Sequence, residues 1–247
     1  MSSDPRPARK RFVNYYEDAL RRLVALGIRP EQIDELRDYG LLAKDNVTGF
    51  WEGRSGHGRL WTLRQAIQHV KETGEQAFYV EMDLQNLGGL NVKLGHSGAN
   101  EVFSEIATIA CRELSAVASE ATFFRHGGDE TSACLIDTTE EAVGAAFARV
   151  QHEVERLAMR HGVHDIPHSK YRGDKRVKGT GIHFGMCRIH ANHQADPTLV
   201  FREADIQLEL KKPGAAHVNA ASLIGLPIAN PSRSPDLHGA DFTAGEK

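Results

Sequence analysis

Two carboxylates, Asp129 and Glu130, stand side by side directly after Gly127-Gly128 in the stretch Phe123-Phe124-Arg125-His126-Gly127-Gly128-Asp129-Glu130-Thr131. Adjacent like charges at a turn repel. A hard divalent cation, which takes oxygen ligands, relieves that repulsion. A third acid, Asp83, closes the apolar run Ala77-Phe78-Tyr79-Val80-Glu81-Met82. It is followed by Leu84-Gln85-Asn86-Leu87-Gly88-Gly89-Leu90-Asn91 and then Gly95-His96. Strand-end acids beside glycine-rich turns can serve one purpose together: oxygens hold a cation while bare backbone lets an anion or a bulky ligand approach. Alone, a Gly-Gly-Asp turn is equally well read as a solvated acidic turn.

Three elements must position these residues. Residues 122–136 read as a β-hairpin, two apolar strands about a tight Gly-Gly turn whose glycines suit positive φ. Gln76–Met82 reads as a buried strand ending at Asp83. Gly181–Ile189 reads as a further core strand. Helical periodicity marks Trp61–Lys71, broken by Gly74, and Ala99–Val117, with Val102, Phe103, Ile106, Ile109 and Ala110 on one face. It also marks Glu140–His161 and Leu199–Leu210. Strands alternating with helices, plus one hairpin, imply an α+β domain with a central, mostly antiparallel sheet flanked by helices. Phe12, Tyr16, Leu20, Leu23 and Val24 recur at helical spacing, and Pro30 suits the first turn of a second short helix. Residues 1–40 are therefore expected to form a helical extension, 41–220 the main domain and 221–247 a flexible tail.

Composition narrows the function. A net charge of −3 over 247 residues gives no global bias towards nucleic acid or acidic lipid. Cys111, Cys134 and Cys187 are widely spread and lack metal-ligand spacing, which favours free thiols in a reducing compartment. No apolar run approaches the ~20 residues needed to span a bilayer, so a cytoplasmic protein is expected. The basic segment with Lys170, Arg172, Lys175, Arg176 and Lys178 reads as a long solvated surface loop. His161, His164 and His168 beside it raise zinc, but no cysteine or fixed scaffold accompanies them.

The strand ending in Asp83, Asn91 eight positions on, Gly95-His96 and the hairpin at Gly127-Gly128-Asp129-Glu130 together resemble the GGDEF domain of diguanylate cyclases. The likeness runs from about Asp45 to about His217, and Asp45-Asn46-Val47-Thr48-Gly49-Phe50 resembles the family's entry motif. It implies a palm-like nucleotidyl-cyclase fold that joins two GTP into cyclic di-GMP, each nucleotide held by one subunit of an at least transient homodimer. It also implies Mg²⁺ (or Mn²⁺) held by Asp83, the Leu84 carbonyl and Asp129, with Glu130 assisting. By the same resemblance, the backbone of Asn86, Leu87 and Gly88 would cradle the β- and γ-phosphates. Lys212 would neutralise a terminal phosphate, Asn91 and Asn100 would read the base beside His96, and Arg125, Gly127 and Gly128 would line the substrate. The N-terminal helices could be a flap covering the domain, a dimerisation arm or a contact for a protein partner, while membrane and nucleic acid are not expected partners.

This chain departs from the family pattern. Gln85 and Gly88 stand where an aspartate and a lysine are usual, Thr131 replaces the signature phenylalanine, and Ala216 replaces an arginine. The metal acids are retained while the substrate shell is altered. That fits a divergent cyclase, or alternatively a degenerate domain that binds GTP or a cyclic dinucleotide and regulates a partner. A template-dependent polymerase palm would need template-binding domains. The family's inhibitory Arg-x-x-Asp is missing, since Ala116–Phe124 contains neither residue, so product inhibition is expected to be weak.

Asn100 stands where the family has an aspartate. A carboxylate accepts from both N1–H and N2–H₂ of guanine, whereas an amide offers one acceptor and one donor. A mismatched buried donor costs about 1–3 kcal/mol. A competition between GTP and ATP is therefore expected to show relaxed GTP preference, sharpened by Asn100→Asp. An unchanged ratio in both proteins would show that this position does not read the base.

Overall fold

The computed structural model describes residues 44–53, 56–167 and 179–212, with Val24 and Arg29 as isolated positions. The rest of the expected N-terminal extension, the basic 168–178 stretch, Ala216 and the expected 221–247 tail lie outside the described residues. Numbered among the described residues, the elements are β1 (Trp51–Glu52), α1 (His57–Thr73), β2 (Ala77–Gln85), α2 (Leu87–Ser115), β3 (Glu120–Arg125), β4 (Glu130–Ile136), α3 (Glu140–Arg160), β5 (Gly181–Ile189) and α4 (Thr198–Glu209). A short 3₁₀ turn, Ala191–Gln194, joins β5 to α4.

The five strands form one sheet in the order β1-β3-β4-β2-β5. Every pairing is antiparallel except β1 with β3. Alternation along β2 sorts its side chains. Phe78, Val80, Met82 and Leu84 join the core formed with α2 and α3, while Ala77 and Tyr79 join a second core with α1 and α4. The sheet is thus the middle of three layers. Phe147 of α3 stacks on Phe184 of β5, ring centroids 3.6 Å apart.

Local signals explain most of the boundaries. Gly74 ends α1 in the left-handed region at φ 73°, as a helix C-cap should. Thr139 caps α3, its hydroxyl accepting from the Ala142 N–H at 3.2 Å, and Glu140 and Glu141 complement the helix dipole.

Three boundaries differ from expectation. β2 runs on through Asp83 to Gln85, because β5 pairs with it as far as Gly181 and the Leu84 N–H donates to the Asp129 carbonyl at 3.0 Å. α2 begins at Leu87 rather than at Ala99, with a break at Gly95 (φ 71°, ψ 172°). The hairpin turn does not use left-handed glycines, as neither Gly127 nor Gly128 has positive φ. Its connection is the wider loop His126–Asp129, closed by N–H groups of His126 and Gly127 donating to the Glu130 carbonyl.

α4 docks on β5 over Gly185, where an added Cβ would overlap the backbone of Ala204 and Leu208. Gly185→Ala is expected to destabilise the protein by about 1–3 kcal/mol through this overpacking. Gly144→Ala, with nothing near the new Cβ inside α3, is expected to stabilise it by about 0.5–1 kcal/mol. Urea unfolding of both variants checks the pair.

Candidate functional site

The β2–β4 register sets Asp83 opposite Glu130, and β5 places His183 on the other side of Asp83. Asp129 immediately precedes Glu130, and its carbonyl accepts from Leu84. Asp83, Leu84, Asp129 and Glu130 are therefore brought together. Lys212, just beyond α4, joins them, its Nζ 3.4 Å from Asp83 Oδ1 and 2.5 Å from Glu209 Oε1. Burial disfavours the Lys212 ammonium, yet Glu209 and Asp83 outweigh that and hold its pKa above the ordinary lysine value. A cation already sits at the acid pair, and the oxygen-rich donor set is of the kind Mg²⁺ takes.

Asn86 ends β2 in the left-handed conformation (φ 67°) and caps α2, its Oδ1 accepting from Gly89 N–H at 3.1 Å. Its amide nitrogen donates to the Pro167 carbonyl at 3.2 Å and to the Gly179 carbonyl at 3.0 Å. One buried side chain thus fastens both ends of the basic stretch to the turn at Asn86–Gly88. Leu87 lies beside Gly128, so this turn and the acidic hairpin abut. Gly88 is exposed and Asn91 half-buried. His96 and Asn100 are both exposed, past the break at Gly95.

Arg125 is held by partners within the protein. Its Nη1 donates to both oxygens of Asp45, at 2.9 and 3.0 Å, and its Nη2 donates to the Gly128 carbonyl at 2.6 Å. The guanidinium also lies over Phe103, 4.6 Å from the ring centroid. With both terminal nitrogens engaged inside the protein, Arg125 clamps the Gly127-Gly128 turn. Asp45 in turn accepts from the N–H groups of Val47 and Thr48 and from the Thr48 hydroxyl. Burial raises its pKa, but the Thr48 and Arg125 hydrogen bonds outweigh that and leave it below the usual carboxylate value.

The sequence reading missed Glu81. It is buried (7 % exposed) on the same sheet face as Asp83. Its Oε1 accepts from the Tyr79 hydroxyl at 3.0 Å and from Arg59 at 3.2 Å, and its Oε2 is 2.9 Å from His126 Nε2. His126 Nδ1 faces Glu130 Oε2 at 3.9 Å. Burial, then the nearby Glu81 charge, push the Tyr79 phenol well above its ordinary pKa, keeping it a donor. The spacing of Glu81 and Asp83, two residues apart in an otherwise apolar strand, was the available signal. Arg59, Glu81, His126, Glu130, Asp205 and Lys212 contribute to the walls of a cleft of about 470 Å³. Of the histidines raised as zinc ligands, His161 pairs with Glu105 at 2.8 Å, and His168 lies outside the described residues. No helix among the described residues is long and apolar enough to cross a membrane.

Comparison with known proteins agrees with this geometry. The family model described as diguanylate cyclase, GGDEF domain, matches residues 45–216. No curated protein sequence matches the chain. Among solved structures, it is similar to the coiled coil and GGDEF domain of DgcB from Caulobacter crescentus in complex with c-di-GMP, at 18% identity and TM-score 0.55, covering 80% of this chain and 92% of that one. It is similar to diguanylate cyclase SiaD from Pseudomonas aeruginosa, crystallised with its activator SiaC, at 23% identity and TM-score 0.50, covering 78% and 69%. The FimX GGDEF domain from Pseudomonas aeruginosa gives 20% identity and TM-score 0.51, covering 67% and 91%. At these identities the likeness is one of fold.

The Asp45–Arg125 pair has side chains only 7% and 11% exposed. Removing one charge of such a pair costs about 3–5 kcal/mol, the loss expected for Asp45→Asn. Because the folded-state pKa of Asp45 is depressed, its contribution is complete above the unfolded value of about 3.9 and is lost as pH falls through the folded value. Urea midpoints measured down that acid range should fall less steeply in Asp45→Asn than in the wild type.

Proposed function

This chain belongs to the GGDEF domain family of diguanylate cyclases, and from that membership we propose that it condenses two GTP into cyclic di-GMP with a divalent cation at the Asp83–Asp129 site. The observation that carries the reading is the register that sets Asp83 opposite Glu130, with Lys212 beside them. Mg²⁺ or Mn²⁺, when bound, would neutralise charge on the reacting phosphate and acidify the attacking 3′-hydroxyl. Asp83, the Leu84 carbonyl and Asp129 are the residues to hold it.

The chain's own groups divide the remaining work. Lys212 is the cation for a terminal phosphate, available once Asp83 is engaged elsewhere. The Asn86–Gly88 turn, with Gly88 exposed and bare of side chain, presents backbone to the phosphates. Glu130, whose side chain is 55% exposed, is the group to accept the 3′-hydroxyl proton. One such site holds one nucleotide, so the double linkage needs a second subunit facing the first. Arg125 and Asp45 hold the acidic turn through hydrogen bonds within the protein.

A second reading rests on a different observation. Gln85 and Gly88 alter the phosphate turn, and Asn100 stands exposed where the family has an aspartate. A domain built this way would bind GTP or a cyclic dinucleotide and act through a partner, with residues 1–40 as the contact.

The two readings part when the pure full chain is incubated with Mg²⁺ and GTP and its products are identified by mass. The cyclase reading expects cyclic di-GMP, formed at a rate that rises more steeply than linearly with dilute enzyme. Asp129→Asn is expected to lower that rate by about a hundredfold or more with an unchanged circular dichroism spectrum. Undiminished turnover in Asp129→Asn, or product formed despite a chelator, would remove the metal assignment. Binding of GTP without product would leave the regulator.

A further inference from the structure

His69, Glu75 and Asp137 converge at the end of the sheet opposite to Asp83 and Glu130. His69 Nε2 is 3.1 Å from Glu75 Oε2 and 3.2 Å from Asp137 Oδ1, and the three ligand atoms all lie within 4.8 Å of one another. We propose that these three side chains form a binding site for Zn²⁺.

The geometry carries the argument. Zinc–nitrogen and zinc–carboxylate bonds are about 2.0–2.2 Å, which makes neighbouring tetrahedral ligands about 3.4 Å apart. The two separations from His69 Nε2 are a few tenths of an ångström shorter, so each of these pairs needs only a small outward shift. A single imidazole nitrogen carries at most one hydrogen, yet two carboxylates close on this same nitrogen. A metal ion would be ligated by all three groups at once. One imidazole nitrogen with two carboxylate oxygens suits zinc over Mg²⁺ or Ca²⁺, which prefer all-oxygen shells. Three protein ligands leave a fourth position for water.

The surroundings hold these ligands in place. The second oxygen of Asp137 accepts from the Ser119 hydroxyl at 2.8 Å. Thr73 Oγ1 donates to the His69 carbonyl at 2.8 Å and accepts from the Glu75 N–H at 3.1 Å, folding Glu75 back towards His69. The Thr138 N–H donates to the Gln76 carbonyl, joining the end of β4 to the start of β2. The ion would therefore staple the end of α1 to two strands. Six residues of β2 separate this end from Asp83, about 20 Å of strand, so the site is independent of the proposed cyclase chemistry.

The test is calorimetric titration of the chelator-stripped full chain with Zn²⁺, in excess Mg²⁺ so that the Asp83–Asp129 acids are occupied by their own ion. One zinc site is expected. His69→Ala and the near-isosteric Glu75→Gln should each abolish it, and Ser119→Ala should weaken it roughly tenfold, with folding checked by circular dichroism. Co²⁺ in place of zinc should give visible bands of a nitrogen–oxygen site without a thiolate charge-transfer band. Three results overturn the proposal: no zinc heat in the wild type, zinc heat that survives in the folded Glu75→Gln protein, or a thiolate band. The thiolate band would move the ion to Cys187, which lies near His193 and Glu203.

Discussion

The antiparallel register between β2 and β4 is the constraint on which the rest of the molecule depends. It pairs Ala77 with Ile136 at one end and Asp83 with Glu130 at the other. Side chains alternate across a strand, so a slip of one residue would turn Asp83 into the apolar layer and expose Met82 and Leu84. Fully burying each such side chain stabilises by about 1.5–3 kcal/mol, and Phe78, Val80, Met82 and Leu84 are all at most 2% exposed. The apolar half of the strand therefore fixes where its polar half points. The placement of the acids is a by-product of hydrophobic register.

Electrostatics then work within that frame. The sheet face bearing Asp83 also carries buried Glu81, and both acids are matched by basic side chains from other elements: Arg59 from α1, His126 from the hairpin turn and Lys212 from beyond α4. On the opposite face Arg125 reaches from β3 to Asp45 and to the Gly128 carbonyl, tying the entry turn to the acidic turn. The acids are thus held by ion pairs whose partners lie far apart in the chain. That arrangement lets a site rich in negative charge stay folded before any ligand arrives.

Much of this was legible in the chain. The apolar run before Asp83, the hairpin and the helix stripes follow simple periods, and those elements lie where the periods put them. The first turns of α2 were hidden because Gly88, Gly89 and Gly95 carry no helical signal, although Asn86 supplies a cap. The parallel pairing of β1 with β3 spans only two residues and joins positions about seventy apart in sequence, beyond any local pattern. Arg125 and Asn86 were picked out for their positions relative to the motifs. Their side-chain partners, Asp45 for one and Pro167 and Gly179 for the other, are distant in sequence, and only the folded chain reveals them. Glu81 shows the converse: a charge in an apolar strand was visible, but the three donors that make its burial tolerable were not.

Diffraction from crystals grown with Mn²⁺ and a non-hydrolysable GTP analogue tests the proposed site most directly. Anomalous Mn²⁺ density between Asp83 and Asp129, with the triphosphate along the Asn86–Gly88 turn, is the expected result. A nucleotide ordered elsewhere, or density for Mn²⁺ away from both acids while the triphosphate is bound, would contradict it.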